Sequence, residues 1–456
     1  MQKLLNTSLE WIDARFPLTK TWEEHLSKYY APKNFNFWYY FGSLAILVLV
    51  MQIASGIFLT MHYKPDAALA FASVEYIMRD VPWGWLIRYM HSTGASFFFI
   101  VVYLHMLRGM MYGSYRAPRE LVWLIGMAIF VALMAESFMG YLLPWGNLSY
   151  WGAQVIISLF SVIPFGIGDV LSEWLRGDFV VSDATLNRFF AFHVIAVPLA
   201  LCALVYVHII ALHKVGSNNP DGIEIKNNKG PDGIPVDGIP FHPYYTVKDI
   251  VGVTIFLILF ASVMFFAPEL GGWFLESNNF IPANILQTPP EIVPLWYFTP
   301  YYSLLRATTE KMVMWGLLPM VGILTILTII SVRTGVGKLI ALVAGSGLFI
   351  GLFVLDAKFW GVVLMGLGVG LFAFLPWLDR SPVKSIRYRS WMSKTALAIF
   401  IVSFVVLGWL GSQPLSDIKL QTAQVFTVLY LLFFLLMPWY TAFDKTKPEP
   451  DRVTMK

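Results

Sequence analysis

Two pairs of histidines dominate the chemistry available to this sequence. His91 and His105 stand fourteen residues apart in the apolar stretch IRYMHSTGASFFFIVVYLHMLRG (87–109), and His193 and His208 stand fifteen apart in a second apolar stretch. In an α-helix, fourteen residues fall about 40° short of four turns and rise about 21 Å; fifteen overshoot four turns by about 60°. Each pair therefore shares one helix face at two depths. Two crossings separate the two helices, so they run in the same direction. If they are neighbours, His91 meets His193 at one depth and His105 meets His208 at the other. Opposed imidazoles suggest bis-histidine haem ligation, in which two axial ligands close the iron to oxygen and leave an electron carrier. Structural zinc would instead collect four ligands, often with cysteine, and the chain has one cysteine, Cys202. The plainer alternative is that membrane histidines line a cavity or bond across helices. It explains one histidine more easily than two matched pairs.

Other residues repeat the same interval. Gly42 and Gly56 are fourteen apart, as are Gly126 and Gly140. Each is a candidate for letting a flat macrocycle approach a helix, or simply for close helix packing. Arg88, Arg108 and Arg188 lie near span ends. Guanidinium pairs well with haem propionates, although a cation there also snorkels to the interface.

Positioning these groups requires membrane helices. Of 456 residues, 57% are hydrophobic and only 13% charged, against about 25% charged in soluble domains. Ten apolar runs of spanning length cover 37–61, 87–110, 121–143, 189–212, 250–268, 312–331, 338–355, 359–378, 395–411 and 423–443. The expected fold is an all-α polytopic bundle; a β-barrel would alternate polar and apolar residues. Segments on the side of the termini carry 21 Lys and Arg, against 8 on the other side. The positive-inside rule then puts both termini in the cytoplasm. The outer connections 144–188 and 280–306 are apolar and aromatic, as expected of helices lying along the membrane face. The cytoplasmic stretch 215–240 reads as a polar loop of turn residues. No cleavable leader, no CxxCH haem attachment and no soluble or nucleic-acid-binding domain is expected; the net charge is only +4.

Longer motifs run in a recognisable order: MQIASGIFLTMHY (51–63), FMGYLLPWGNLSYWGAQVI (138–156), NRFFAFHVIAVPLALCALVYVHIIALHKVGSNNPDG (187–222), PFHPYYTVKDI (240–250), TPPEIVPLWYF (288–298) and LPWLDRSPVKS (375–385). With the His91–His105 stretch, they make nearly the whole chain resemble the bacterial type of cytochrome b of the ubiquinol–cytochrome c oxidoreductase, the respiratory cytochrome bc complex. The resemblance implies two non-covalent b-type haems, with His91 and His193 on the outer iron and His105 and His208 on the inner. It implies that Ser114 joins the arginines around the haems. It implies that an outer site oxidises ubiquinol, one electron going to a Rieske iron–sulfur protein and cytochrome c1. The other crosses the haems to an inner quinone-reducing site, contributing to a proton gradient. Tyr141, Gly152, Pro294, Trp296, Tyr297 and Tyr302 are implied at the outer site, and Ser43, His213, Ser217, Lys248 and Asp249 at the inner. A homodimeric complex, bound lipid and a bacterial inner membrane are implied as well. The domains would be a cytoplasmic segment (1–36), a dihaem four-helix domain (37–213), a loop with the inner site (214–249) and a C-terminal membrane domain (250–456).

The sequence departs from the family in three places. The family commonly has PEWY where this chain has PLWY, so Leu295 replaces a carboxylate proposed to take a quinol proton. Glu291 is the candidate substitute, and Glu291→Gln is expected to slow quinol oxidation more than Leu295→Ala. The interval from His193 to His208 is one residue longer than in mitochondrial relatives, and a local bulge near Pro198 could absorb it. Region 312–355 reads as an extra hairpin. Glu136, inside the third span, has no assigned role. Two other readings remain: a different dihaem membrane subunit, which would lack the PLWY loop, or a histidine-using secondary transporter, which would more readily show repeat halves.

Overall fold

The computed structural model describes residues 2–455. Among them are ten helices long and apolar enough to cross a membrane: Phe37–Thr60, Gly84–Tyr112, Glu120–Leu142, Asp183–Val215, Phe241–Phe266, Glu310–Ser331, Gly335–Val354, Ala357–Leu378, Trp391–Gly411 and Asp417–Leu435. They are numbered here as spans one to ten. All ten expected spans are present. The tenth ends earlier than expected, because Pro438 cannot continue the helix and a separate turn, Met437–Phe443, follows.

Spans one and two pack closely along their length, and so do spans three and four. Spans eight, nine and ten gather around a short outer helix, Thr299–Ala307. Spans six and seven form a hairpin. Its turn is set by Thr334, whose hydroxyl accepts from the Gly337 amide at 3.2 Å, an N-cap that starts span seven. Burial of Phe97, Phe99, Phe130, Tyr297, Phe400 and Phe434 ties the N-terminal bundle to the C-terminal spans in one core.

Span four carries a π-helical turn at Phe192–Ala196, immediately before Pro198. A π turn takes one residue more than an α turn. The extra residue between His193 and His208 is absorbed there, and the two histidines regain a common face.

The two outer connections are joined. The Asn147 amide donates to the Ile281 carbonyl at 2.9 Å, and the Ala283 amide to the Trp145 carbonyl at 2.9 Å. On the face of the termini, the expected polar loop is tightly built rather than solvated. Asn218, Asn219 and Asp221 are buried, which is tolerable because all their side-chain polar atoms except Asn218 Oδ1 have partners. Asp221 pairs with Arg387 at 3.0 Å and accepts from Asn34 and the Thr454 amide. Arg119, also buried, holds Glu224 through both guanidinium nitrogens at 2.6 and 2.8 Å. Strand Tyr30–Pro32 pairs antiparallel with Gly238–Pro240, locking the N-terminal segment onto this loop.

Candidate functional site

The four histidines are positioned by helices that leave them room. A Cβ added to Gly56 would lie 3.3 Å from His91 Cε1, one on Gly42 3.4 Å from His105 Cε1, and one on Gly126 3.3 Å from His208 Cε1. On Gly140 it would lie only 2.3 Å from His193 Cε1. Each glycine thus faces one imidazole, at the depth its interval demands. The space the glycines provide is taken by the histidine rings themselves.

His91 and His193 oppose each other with ring centroids 6.1 Å apart and planes at 87°. A single metal atom between two ring nitrogens sets about this separation, given a metal–nitrogen distance of ~2.0 Å. Their outer nitrogens are fixed. His91 Nδ1 lies 2.9 Å from Ser55 Oγ, whose own proton goes to the Met51 carbonyl. His193 Nδ1 lies 2.9 Å from the Glu136 carbonyl oxygen and 3.0 Å from Glu136 Oε1. Acceptors on Nδ1 hold the proton there and free Nε2 for a metal. Both histidines line a cavity of about 510 Å³ together with Arg88, Gly56, Gly140 and Glu136. That is within the range of sites for sizeable ligands. Arg88 makes no ion pair among the described residues, as suits a cation awaiting a carboxylate. The residues fit a bis-histidine haem here.

The inner pair is arranged differently. Arg108 lies with Nη2 3.2 Å from His105 Nδ1 and with its guanidinium over the Tyr39 ring at 4.9 Å. A guanidinium can only donate, so His105 carries its proton on Nε2 in this arrangement. Ligation through Nε2 requires Arg108 to turn away, and its Nε has no partner to hold it. Ser114 lies beside Arg108 at 3.5 Å and receives a bond from Asn218 at 3.3 Å. Arg188 is not at either pair: it is exposed and donates to the Trp174 carbonyl.

The same cavity continues past the outer histidines to Tyr141, Leu295 and Tyr297. Tyr297 is stacked on Phe99 at 3.8 Å, and its hydroxyl meets Ser137. Gly152 faces Tyr141: a Cβ there would find the tyrosine ring at 3.9 Å and nothing closer. Trp296 is held by Ser96 at 3.0 Å, and Tyr302 donates to the Ile292 carbonyl at 3.3 Å. Pro294, Trp296 and Tyr302 support this wall without lining the cavity.

Glu291 is exposed and absent from the cavity wall, so the structure does not bring it to the outer pocket. Glu276 does not line the cavity either, but its carboxyl bonds two residues that do, Tyr141 and Asn279. Tyr141 Oη donates to Glu276 Oε2 at 3.2 Å, and Asn279 Nδ2 donates to the same oxygen at 3.1 Å and to Tyr141 Oη at 2.7 Å. Burial away from water pushes the Glu276 carboxyl up to about 7, against the pull of these two donors.

On the face of the termini, the expected inner residues fall into two sets. His213 stacks on Tyr29 at 4.4 Å and meets His25 Nδ1 at 2.8 Å, while the Tyr29 hydroxyl bonds Ser217 at 3.1 Å. Asp249 lies beside Ser43, and Lys248 reaches over the Tyr245 ring at 5.2 Å. His25 and Tyr29 were not expected at this place. A titratable residue in a polar N-terminal segment gives no signal until the strand pair folds it inward.

Comparison with known proteins shows the family. Residues 26–216 match the family described as Cytochrome b/b6/petB, and residues 282–337 and 346–431 match Cytochrome b(C-terminal)/b6/petD. The chain belongs to the cytochrome b family. It is similar to the cytochrome b of Allochromatium vinosum, 58% identical over 451 residues and 98% of each chain. It is 39% identical over 450 residues to a Bradyrhizobium diazoefficiens protein named cytochrome b/c1, covering 98% of this chain and 57% of that one. A solved structure titled hyperthermophilic respiratory Complex III has a chain that superposes with a TM-score of 0.79 at 35% identity, covering 95% of this chain and 99% of that one. A multi-pass, haem-binding protein of respiratory electron transport follows from membership. Spans six and seven fall inside the length shared with the 58% identical relative, and within them the family match breaks at 338–345.

Proposed function

We propose that this chain is the catalytic cytochrome b subunit of a quinol–cytochrome c oxidoreductase, holding two b-type haems and two quinone sites. The observation that carries this is the shared cavity, in which an opposed histidine pair and the aromatic wall of Tyr141 and Tyr297 meet. When bound, the haems supply one-electron carriage between the two faces. His91 and His193 would hold the outer one and His105 and His208 the inner one, with Arg88 and Arg108 available to propionates.

This chain's own residues do the rest. At the outer site, Tyr141, Tyr297 and Leu295 enclose ubiquinol and exclude water, while Gly152 leaves space for the ring. At the inner site, His213 and Asp249 hold the protons that a quinone needs when reduced, and Ser43, Ser217 and Lys248 offer donors to it. The electron acceptors outside the chain are a Rieske iron–sulfur protein and cytochrome c1; the relative named cytochrome b/c1 supports the second. The basic residues on the face of the termini support a cytoplasmic placement in a bacterial inner membrane, with lipid and a second copy of the complex as neighbours.

The test is direct. A reduced-minus-oxidised spectrum of the purified complex should show b-type bands that titrate as two components, and the complex should reduce cytochrome c with ubiquinol. Bands of one component, or no quinol-dependent reduction, would refute the reading.

A further inference from the structure

We infer that Glu276 is the outer-site proton acceptor for quinol oxidation in this chain, replacing the carboxylate that Leu295 lacks. This rests on the outer-site reading above and names the residue that completes it. Leu295 lines the cavity and has no proton chemistry. Glu291 is exposed and turned away from the cavity. Glu276 stands behind the cavity wall: it is not a lining residue, but its chain neighbours Phe274 and Leu275 are, and its carboxyl bonds Tyr141 and Asn279, which line the cavity.

Three contacts fix the group. Asn279 Oδ1 accepts from the Ser149 amide at 2.8 Å, which anchors Asn279 to the first outer connection. Its Nδ2 then bridges Tyr141 Oη and Glu276 Oε2. Carboxylate, phenol and amide are thereby held by both outer connections at once. The other titratable groups near Glu276 are Tyr141 and Tyr297, with Arg88, Glu136 and the two histidines elsewhere on the cavity wall.

The step balances. Oxidation of a quinol to a quinone releases two protons and two electrons. The electrons leave singly to the iron–sulfur and haem acceptors of the proposed function. One phenolic O–H of the quinol breaks; its proton passes to the Tyr141 hydroxyl as that group's own proton forms a carboxyl O–H on Glu276, and the second phenolic proton leaves with the electron taken by the iron–sulfur acceptor. A carboxyl titrating near 7 accepts at neutral pH and releases readily afterwards, the match that acid–base catalysis needs. The burial that raises it costs stability. The folded chain keeps this proton up to about pH 7, whereas an unfolded one loses it near the ordinary 4.5, so this group's contribution falls as pH rises between them.

The experiment uses the intact complex. Wild-type ubiquinol–cytochrome c activity should rise with pH through an inflection near 7. Glu276→Gln should lower the rate about 100-fold and remove that inflection, while Glu291→Gln leaves both. Glu276→Asp should recover part of the rate with the inflection displaced. An unchanged rate and pH profile in Glu276→Gln overturns the assignment. If Glu276→Gln fails to assemble, as judged by lost haem bands, an unmoved inflection in Glu276→Asp overturns it instead. A wild-type complex with both haems and no quinol oxidation would overturn the underlying reading, not this residue.

Discussion

Replacing Glu136 with glutamine should raise the midpoint potential of the outer haem and leave the inner one unmoved. Glu136 Oε1 lies 3.0 Å from His193 Nδ1, the nitrogen opposite the one available to iron. A carboxylate there makes the imidazole a stronger donor and favours the oxidised, more positive metal. Glutamine keeps the shape and an acceptor oxygen but removes the charge. A hydrogen bond to a charged group is worth about 1 kcal/mol more than one to a neutral group. For one electron, ~1.4 kcal/mol corresponds to ~59 mV, so the outer potential should rise by about 40 mV. The Glu136 carbonyl at 2.9 Å survives the substitution and keeps the ring in place. Neither inner histidine has a carboxylate partner among the described residues. Redox titration of the b bands in the purified complex measures the effect. A fall in potential, equal movement of both components or no movement would refute the reasoning.

Other substitutions separate the remaining contacts. Gly140→Ala should abolish the outer haem band, since its Cβ would sit 2.3 Å from the His193 ring, whereas Gly42→Ala, at 3.4 Å from His105, should retain both bands. Arg119→Ala should lower the thermal stability of the complex by about 2 kcal/mol, because Glu224 loses two charge-assisted bonds and keeps only Lys384; an unchanged melting temperature would refute this. Tyr29→Phe removes the bond to Ser217 and keeps the stack on His213. It should slow haem reoxidation by quinone at the inner site several-fold while leaving cytochrome c reduction in the first turnover intact, both read by stopped-flow absorbance.

The histidine and glycine intervals were legible because a straight helix converts sequence spacing into depth and face. Even the exception was legible: one surplus residue between His193 and His208 needed a bulge, and the chain supplies a π turn at Phe192–Ala196. The spans were legible from apolar length alone, except where Pro438 cuts the tenth short. What spacing does not encode is pairing between loops. Glu276 stands in GGWFLESNNF, which reads as a solvated turn. It reaches Tyr141, 135 residues earlier, only because Asn147 and Ala283 zip the two outer connections together. Arg188 shows the same limit from the other side. Proximity to His193 in sequence suggested a propionate partner, and in the structure its guanidinium donates to the Trp174 carbonyl of the surface helix Ile167–Arg176.

On the proposed outer-site reading, Leu295 also shapes what a proton can do after it leaves quinol. A leucine makes that wall of the cavity apolar, so a charged intermediate there would be unsolvated. The polar contacts instead converge on the joint between the outer connections, where Tyr141, Asn279 and Glu276 share a single set of bonds. Protonating Glu276 turns an acceptor-only group into one that also carries a donor. The Tyr141 hydroxyl is then free to point its proton elsewhere, into the cavity it lines. Loading of the acceptor and reorientation of the pocket's phenol are therefore one event, carried by atoms that also hold the two outer connections together.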